Sequence, residues 1–205
     1  MQYNPKIHHR HSIRLKGYDY SQAGLYFITI CIKDRKCLLG KIIDGKMILN
    51  DAGLMVEKWY YELKNKYPDI ECGEFIVMPN HFHCIVINNG SRVPVSVGAD
   101  LCDCSKSTNE STNESEHESE HESTNEHDLG EHAGSPLRRV VQWFKTMTTN
   151  EYIRGVKNHG WQPFNGKLWQ RNYWEHIIRD EKSHQRISVY ILNNPDKWQN
   201  DKFHN

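Results

Sequence analysis

The sequence predicts a single α+β domain, on three observations. Its 205 residues suffice for one hydrophobic core and fall short of two ordinary ones. Short β-branched and aromatic runs alternate along it with stretches of helical periodicity. Between residues 91 and 134 that patterning stops, so the folded parts fall at 1–90 and 135–205, as two pieces of the same domain.

Residues 1–20 are polar and basic, with His8, His9, Arg10, His11, Arg14 and Lys16 followed by Tyr18 and Tyr20. Cations mixed with stackable rings suit an arm lying along nucleic acid; a frayed terminus is the plainer alternative. Leu25 to Ile32 (LYFITICI) reads as a strand, and Lys41 to Asn50 (KIIDGKMILN) as a hairpin turning at Asp44-Gly45. Asn50 or Asp51 then caps a helix running to about Tyr67, with Leu54, Met55, Trp59 and Leu63 as its apolar stripe and Pro68 as its stop.

Glu74 to Pro79 leads into MPNHFHCIVIN, Met78 to Asn88, whose Pro79-Asn80 suggests a tight turn between antiparallel segments. The following run is apolar and β-branched, as a buried strand requires. Strand side chains alternate between faces, so His81 and His83 share one side while Phe82 points to the other. Two imidazoles on one face can grip a metal ion, although a single strand histidine is more often a hydrogen-bonded packing residue.

Residues 91–134 carry 11 of the 26 acidic side chains and 2 of the 26 Lys and Arg, leaving the remainder with 24 basic against 15 acidic groups, a net of +9. The repeats STNE and SEHE within that tract offer no apolar surface to bury, so it reads as a disordered acidic insert. A basic domain beside it suits a polyanionic partner better than the zero overall charge suggests. His117, His121, His127 and His132 follow from the repeat unit.

Structure restarts with Ser135 as N-cap and Pro136 as first helical residue, and Leu137, Val140, Val141, Phe144 and Thr148 recur at helical spacing. Arg138, Arg139 and Lys145 lie off that stripe, where phosphate contact and a plain solvated face both remain open. The aromatic segment Trp161 to Trp174, with Trp169 inside it, reads as core and edge packing rather than as base platforms. A strand at Tyr173 to Ile178 precedes a helix capped by Asp180 and stopped by Pro195. On it Tyr190 and Asn194 are four residues apart and share a face. A packed tyrosine and an Asn-Pro cap are the bland alternative.

Six cysteines without CxxC pairing, no N-terminal apolar segment and no stretch long enough to span a membrane point to a reduced, cytoplasmic protein. Cys31 and Cys84 read as small core residues.

His81-Phe82-His83 on an apolar strand and Tyr190-x-x-x-Asn194 near the C-terminus together resemble the HUH single-strand DNA transposases, specifically the REP-associated tyrosine transposases. RHSIRLKGYDYSQAGLYFITICI, EFIVMPNHFH and WQRNYWEHIIRDEKSHQRISVYILNNPDKW extend the resemblance over nearly everything outside the insert. It implies a ferredoxin-like (RRM-like) antiparallel sheet with the histidine strand inside and helices packed on it. It also implies Tyr190 as a nucleophile that becomes joined to a 5′ phosphate, and a divalent Mg²⁺ or Mn²⁺ on His81, His83 and Asn194. Single-stranded, often hairpin, DNA would be the partner, with Arg10, Arg14, Arg138, Arg139, Lys145 and Arg171 as candidate contacts; monomer and homodimer both stay open. Two imidazoles bind Zn²⁺, Ni²⁺ or Co²⁺ more tightly than Mg²⁺, so availability must select the working ion. Two other functions fit the same residues. One is a domesticated DNA-binding protein without cleavage, the other a metallohydrolase that activates water.

Overall fold

The structure is a computed structural model that describes Tyr18 and residues 22–90 and 136–204. Arg10, Arg14 and the acidic tract lie outside the described residues. In chain order the elements are β1 (Gly24–Cys31), β2 (Gly40–Ile43), β3 (Lys46–Leu49), α1 (Asp51–Tyr61), α2 (Leu63–Lys66), β4 (Ile70–Val77), β5 (His81–Asn88), α3 (Pro136–His159), β6 (Trp174–Ile178) and α4 (Glu181–Leu192). Single 3₁₀ turns follow β1 at Lys33–Arg35 and α4 at Pro195–Asn200.

The main sheet has the order β4-β5-β1-β6 with every neighbouring pair antiparallel. The connections β1 to β4 and β5 to β6 each skip one strand and carry α1 and α3, which is the ferredoxin-like arrangement. The histidine strand β5 is therefore interior, with its N–H and C=O groups paired on both edges. The hairpin β2–β3 forms a sheet of its own and turns on Asp44 and Gly45, both at positive φ (49° and 72°), the backbone its two-residue loop demands.

One face of the sheet carries the main core. Tyr26, Ile28 and Ile30 of β1 and Phe82, Cys84 and Val86 of β5 point at α1 and α3. The buried residues of α1 are Ala52, Gly53, Met55, Val56 and Tyr60, and Leu63 of α2 joins them. Leu54 corrects the expected stripe, being 52% exposed. It lies two residues from both Ala52 and Val56, about 200° around the helix, so it cannot share their face. Asn50 is the cap, its side chain accepting from the Gly53 N–H at 2.9 Å. Tyr60 donates its hydroxyl toward the carbonyls of Ile85 (2.6 Å) and Gly73 (3.2 Å), beside the register shift of β4 between Cys72 and Phe75.

Leu137, Val140, Val141, Phe144 and Thr148 are all buried along α3 as the spacing predicts. Trp161 folds back onto Gly155, where any Cβ would collide with the indole. The opposite face of the sheet is covered by α4, whose Ile187 and Ile191 pack on Ile85 and Ile178. Asp180 caps α4 by accepting from the Ser183 N–H at 2.7 Å. Among the described residues no helix is long and apolar enough to cross a membrane.

Candidate active site

Strand alternation puts Phe82 into the core and both histidines on the α4 face. His81 and His83 are fully buried and their ring centroids stand 4.5 Å apart. Each ring uses Nδ1 for a neighbour. Asn80 Oδ1 lies 2.8 Å from His81 Nδ1, and Thr29 Oγ1, directly across from His83 on β1, lies 2.7 Å from His83 Nδ1. The Asn80 amide oxygen can only accept, which puts the His81 proton on Nδ1 and leaves Nε2 as a lone-pair donor, the usual support for a metal-binding histidine; the Thr29 hydroxyl can hold His83 in the same tautomer by accepting from it. His81 Nε2 has no partner despite being buried.

Burial drives His81 down to about 4, with Asp201 opposing and Lys202 and Arg35 assisting. Burial, then His81 and Lys202, also pushes His83 well below the ordinary imidazole value. Both imidazoles are therefore neutral near pH 7, as ligands must be.

From the other side, α4 delivers Tyr190, 38% exposed, with its hydroxyl 3.4 Å from His83 Nε2. That is long for a hydrogen bond. Phe27 braces the pair, stacked on His83 at 5.3 Å and edge-on to Tyr190 at 6.0 Å. Burial raises the Tyr190 phenol, the Asp201 carboxylate adds to this, and a hydrogen bond from the Asn194 side chain opposes both. The α-helix ends at Leu192, yet Asn194 keeps helical backbone (φ −63°, ψ −39°) and is buried, whereas Asn193 is exposed. Asn194 Oδ1 is buried without a partner. Two orphaned acceptors, His81 Nε2 and Asn194 Oδ1, near a neutral imidazole pair fit a divalent cation.

Four residues here carried no signal of their own in the sequence. Thr29 and Asn80 orient the histidines; Asn80 also donates its amide to the carbonyls of Arg35 (3.1 Å) and Phe203 (2.8 Å). Asp201 joins His81 and His83 in a group whose potential ligand atoms all lie within 4.8 Å of one another. The Phe203 ring sits 4.7 Å from that of His81. A turn residue before a strand, a strand threonine and a tail carboxylate are too common to single out without the register and the path of the tail.

The basic candidates separate. Tyr67 donates to the Arg139 carbonyl at 3.4 Å and precedes Ile70, which pairs with Asn88, so Arg139 lies at the far end of β5 from His81. Its neighbour Arg138 is exposed on the same turn. Lys145 donates to the carbonyls of Gln170 (2.6 Å) and Arg171 (3.1 Å), and burial brings its ammonium down to about 8. Arg171 is exposed and follows Gln170, whose N–H bonds the Cys31 carbonyl opposite His81, placing it at the histidine end. Trp161 and Trp169 pack on the core, whereas Trp174 stands on the edge strand β6, 58% exposed, with Lys202 5.9 Å from its ring. An edge strand has no neighbour to cover it.

No protein-family profile matches the chain. An uncharacterized Haemophilus influenzae protein is 36% identical over 210 residues, spanning 98% of this chain and 97% of the relative. A second protein of that organism, provisionally named a REP-associated tyrosine transposase, is 23% identical over 182 residues, 87% of this chain and 74% of its own. Among solved structures, a REP-associated tyrosine transposase bound to a REP hairpin superposes with a TM-score of 0.49 at 18% identity, covering 90% of this chain and 73% of that one. A Deinococcus radiodurans protein provisionally called a transposase gives 0.41 at 14%, with 88% and 95% covered. Neither superposition is close enough to carry a functional reading. The sequence matches extend over most of the chain, and its own histidine and tyrosine motifs stand in the expected order, so the chain is a full-length relative of the first Haemophilus protein and is similar to the one named a REP-associated tyrosine transposase.

Proposed function

We propose that the protein is a metal-dependent transposase that cleaves and rejoins single-stranded, hairpin-associated DNA through a covalent 5′-phosphotyrosine at Tyr190. The observation that carries this reading is Tyr190 Oη at 3.4 Å from His83 Nε2, beside the orphaned His81 Nε2 and Asn194 Oδ1. His81, His83 and Asn194 would hold Mg²⁺ or Mn²⁺. Such an ion supplies neutralisation of the phosphate and of the departing 3′ oxygen.

The residues of the chain do the rest. Tyr190, braced by Phe27, holds its hydroxyl beside His83 Nε2, and its phenolic proton passes to water as the oxygen bonds to phosphorus. The bond from phosphorus to the 3′ oxygen breaks, leaving a free 3′ hydroxyl and a 5′ phosphate on Tyr190. Attack by a 3′ hydroxyl reverses the step and restores the phenol, which conserves the bond energy. Arg171, at the histidine end, is the best placed of the cationic candidates to meet the DNA backbone, with Arg10 and Arg14 as further contacts. We assign residues 1–90 and 135–205 to one catalytic domain and 91–134 to an insert within it.

The test incubates the protein with Mn²⁺ and labelled single-stranded hairpins and looks for a covalent band on a denaturing gel. The band is expected from the wild type and absent from Tyr190→Phe. A persisting adduct in that variant removes Tyr190 as nucleophile, and hairpin binding without product under any divalent ion leaves a DNA-binding protein instead.

A further inference from the structure

The residues proposed to hold the metal are two imidazoles and an amide, all neutral. A hard divalent ion bound by neutral groups alone keeps its full charge in a buried site, whereas Mg²⁺ and Mn²⁺ prefer carboxylate oxygen. Among the described residues one carboxylate, that of Asp201, reaches the two histidines. We propose that Asp201 is a further metal ligand, delivered by the segment after the tyrosine helix, and that it fits the site to Mn²⁺ and Mg²⁺ rather than Zn²⁺. This rests on the metal site proposed above.

The placement of Asp201 is built, not incidental. The 3₁₀ turn Pro195–Asn200 ends there, and the Asp201 N–H bonds the Trp198 carbonyl at 3.1 Å. The next residues are tied to the turn regions beside the histidines: Arg35 donates to the Lys202 carbonyl at 2.9 Å and Asn80 to the Phe203 carbonyl at 2.8 Å. Trp198 and Phe203 close over His81 with ring separations of 6.0 and 4.7 Å. The candidate ligand atoms of Asp201, His81 and His83 all lie within 4.8 Å of one another, while ligands of one ion stand roughly 3 to 4 Å apart. A bound ion would draw them together by roughly 1 Å. His81 Nε2 within that group is buried and without a partner, as is Asn194 Oδ1.

A structural role competes with this one, because Asp201 Oδ1 also accepts the Phe203 N–H at 2.6 Å in a local turn. Asp201→Asn separates the two. It keeps an oxygen for the turn and removes the charge.

The experiment titrates metal-free full-length protein with Mn²⁺, followed by electron paramagnetic resonance, and with Zn²⁺ in competition with a chromophoric chelator. Asp201→Asn is expected to weaken Mn²⁺ binding about 10-fold or more and Zn²⁺ binding clearly less, with the metal-free melting temperature unchanged. Asp196→Asn removes an exposed charge from the same segment and is expected to change neither. Mn²⁺ affinity unchanged in Asp201→Asn, but lost in His81→Ala, overturns the role of Asp201 and leaves the proposed site standing. So does an equal loss in Asp196→Asn, which would be bulk charge. No Mn²⁺ binding by the wild type overturns both. Should Asp201→Asn fail to fold, Asp201→Ser, which also keeps an oxygen for the turn and removes the charge, is titrated in its place and read by the same outcomes.

Discussion

The two faces of the sheet are built to opposite rules, although the same strands supply both. Toward α1 and α3, β5 presents Phe82, Cys84 and Val86 to a core of aromatic and aliphatic side chains. Toward α4 it presents His81, His83 and Ile85, of which only Ile85 belongs to a hydrophobic cluster. The first face is closed and apolar; the second buries His81 Nε2 and Asn194 Oδ1 with nothing to bond. Alternation with a period of two residues lets one strand serve stability and chemistry at adjacent positions without compromise between them.

The sharpest test of that division is a pair of neighbours. His81→Ala or His83→Ala is expected to abolish adduct formation while hairpin affinity, read by fluorescence anisotropy, stays largely intact, since backbone contacts dominate that affinity. A strong loss of binding would make the histidine face a recognition surface. Phe82→Ala, one residue away and buried against Tyr60 and Phe144, should instead cost about 3–5 kcal/mol in urea unfolding. A loss below about 1 kcal/mol would mean that the core face repacks and the division is weaker than drawn.

Smaller effects refine the polar face. Asn194→Ala should raise the Mn²⁺ needed for half-maximal cleavage by about 10-fold, recovering at high Mn²⁺, whereas exposed Asn193 should tolerate alanine. The reverse order would reassign the amide ligand. The smallest effect concerns pH. His81 titrates at about 4 in the folded protein against an ordinary 6.5, because of burial, so between these values the unfolded chain binds the more protons. Its contribution to stability is therefore complete above pH 6.5 and is lost as pH falls toward 4. Melting temperatures between pH 7 and 5 should drop more for the wild type than for His81→Asn; equal slopes would show that the imidazole is not held neutral.

Much of this organisation is legible in the sequence wherever local chemistry decides it. The Asn50 and Asp180 caps, the Asp44-Gly45 turn, the α3 stripe and the shared side of His81 and His83 all follow from short-range rules and all appear in the structure. Leu54 misled because hydrophobicity was counted without its angle around the helix, and Ala52, Val56 and Tyr60 complete the face it was given. That β2–β3 stays off the main sheet, that Lys145 reaches the Gln170 carbonyl and that Asp201 returns to the histidines are tertiary facts. No periodicity announces them, because each depends on a pairing partner far away in the chain.

That distance gives the site an order in time. His83 and Tyr190 are 107 residues apart, and β1, β4 and β5 all precede residue 89. During synthesis three of the four strands of the main sheet can emerge before β6, α4 and the Asp201 segment exist. The intervening length adds little to the entropy of closing the site, roughly 0.6 kcal/mol for each doubling, so residues 91–134 can grow or shrink with small effect on its assembly. A nascent chain thus carries its histidines long before Tyr190, and the proposed site is completed only as translation passes α4 and the Asp201 segment.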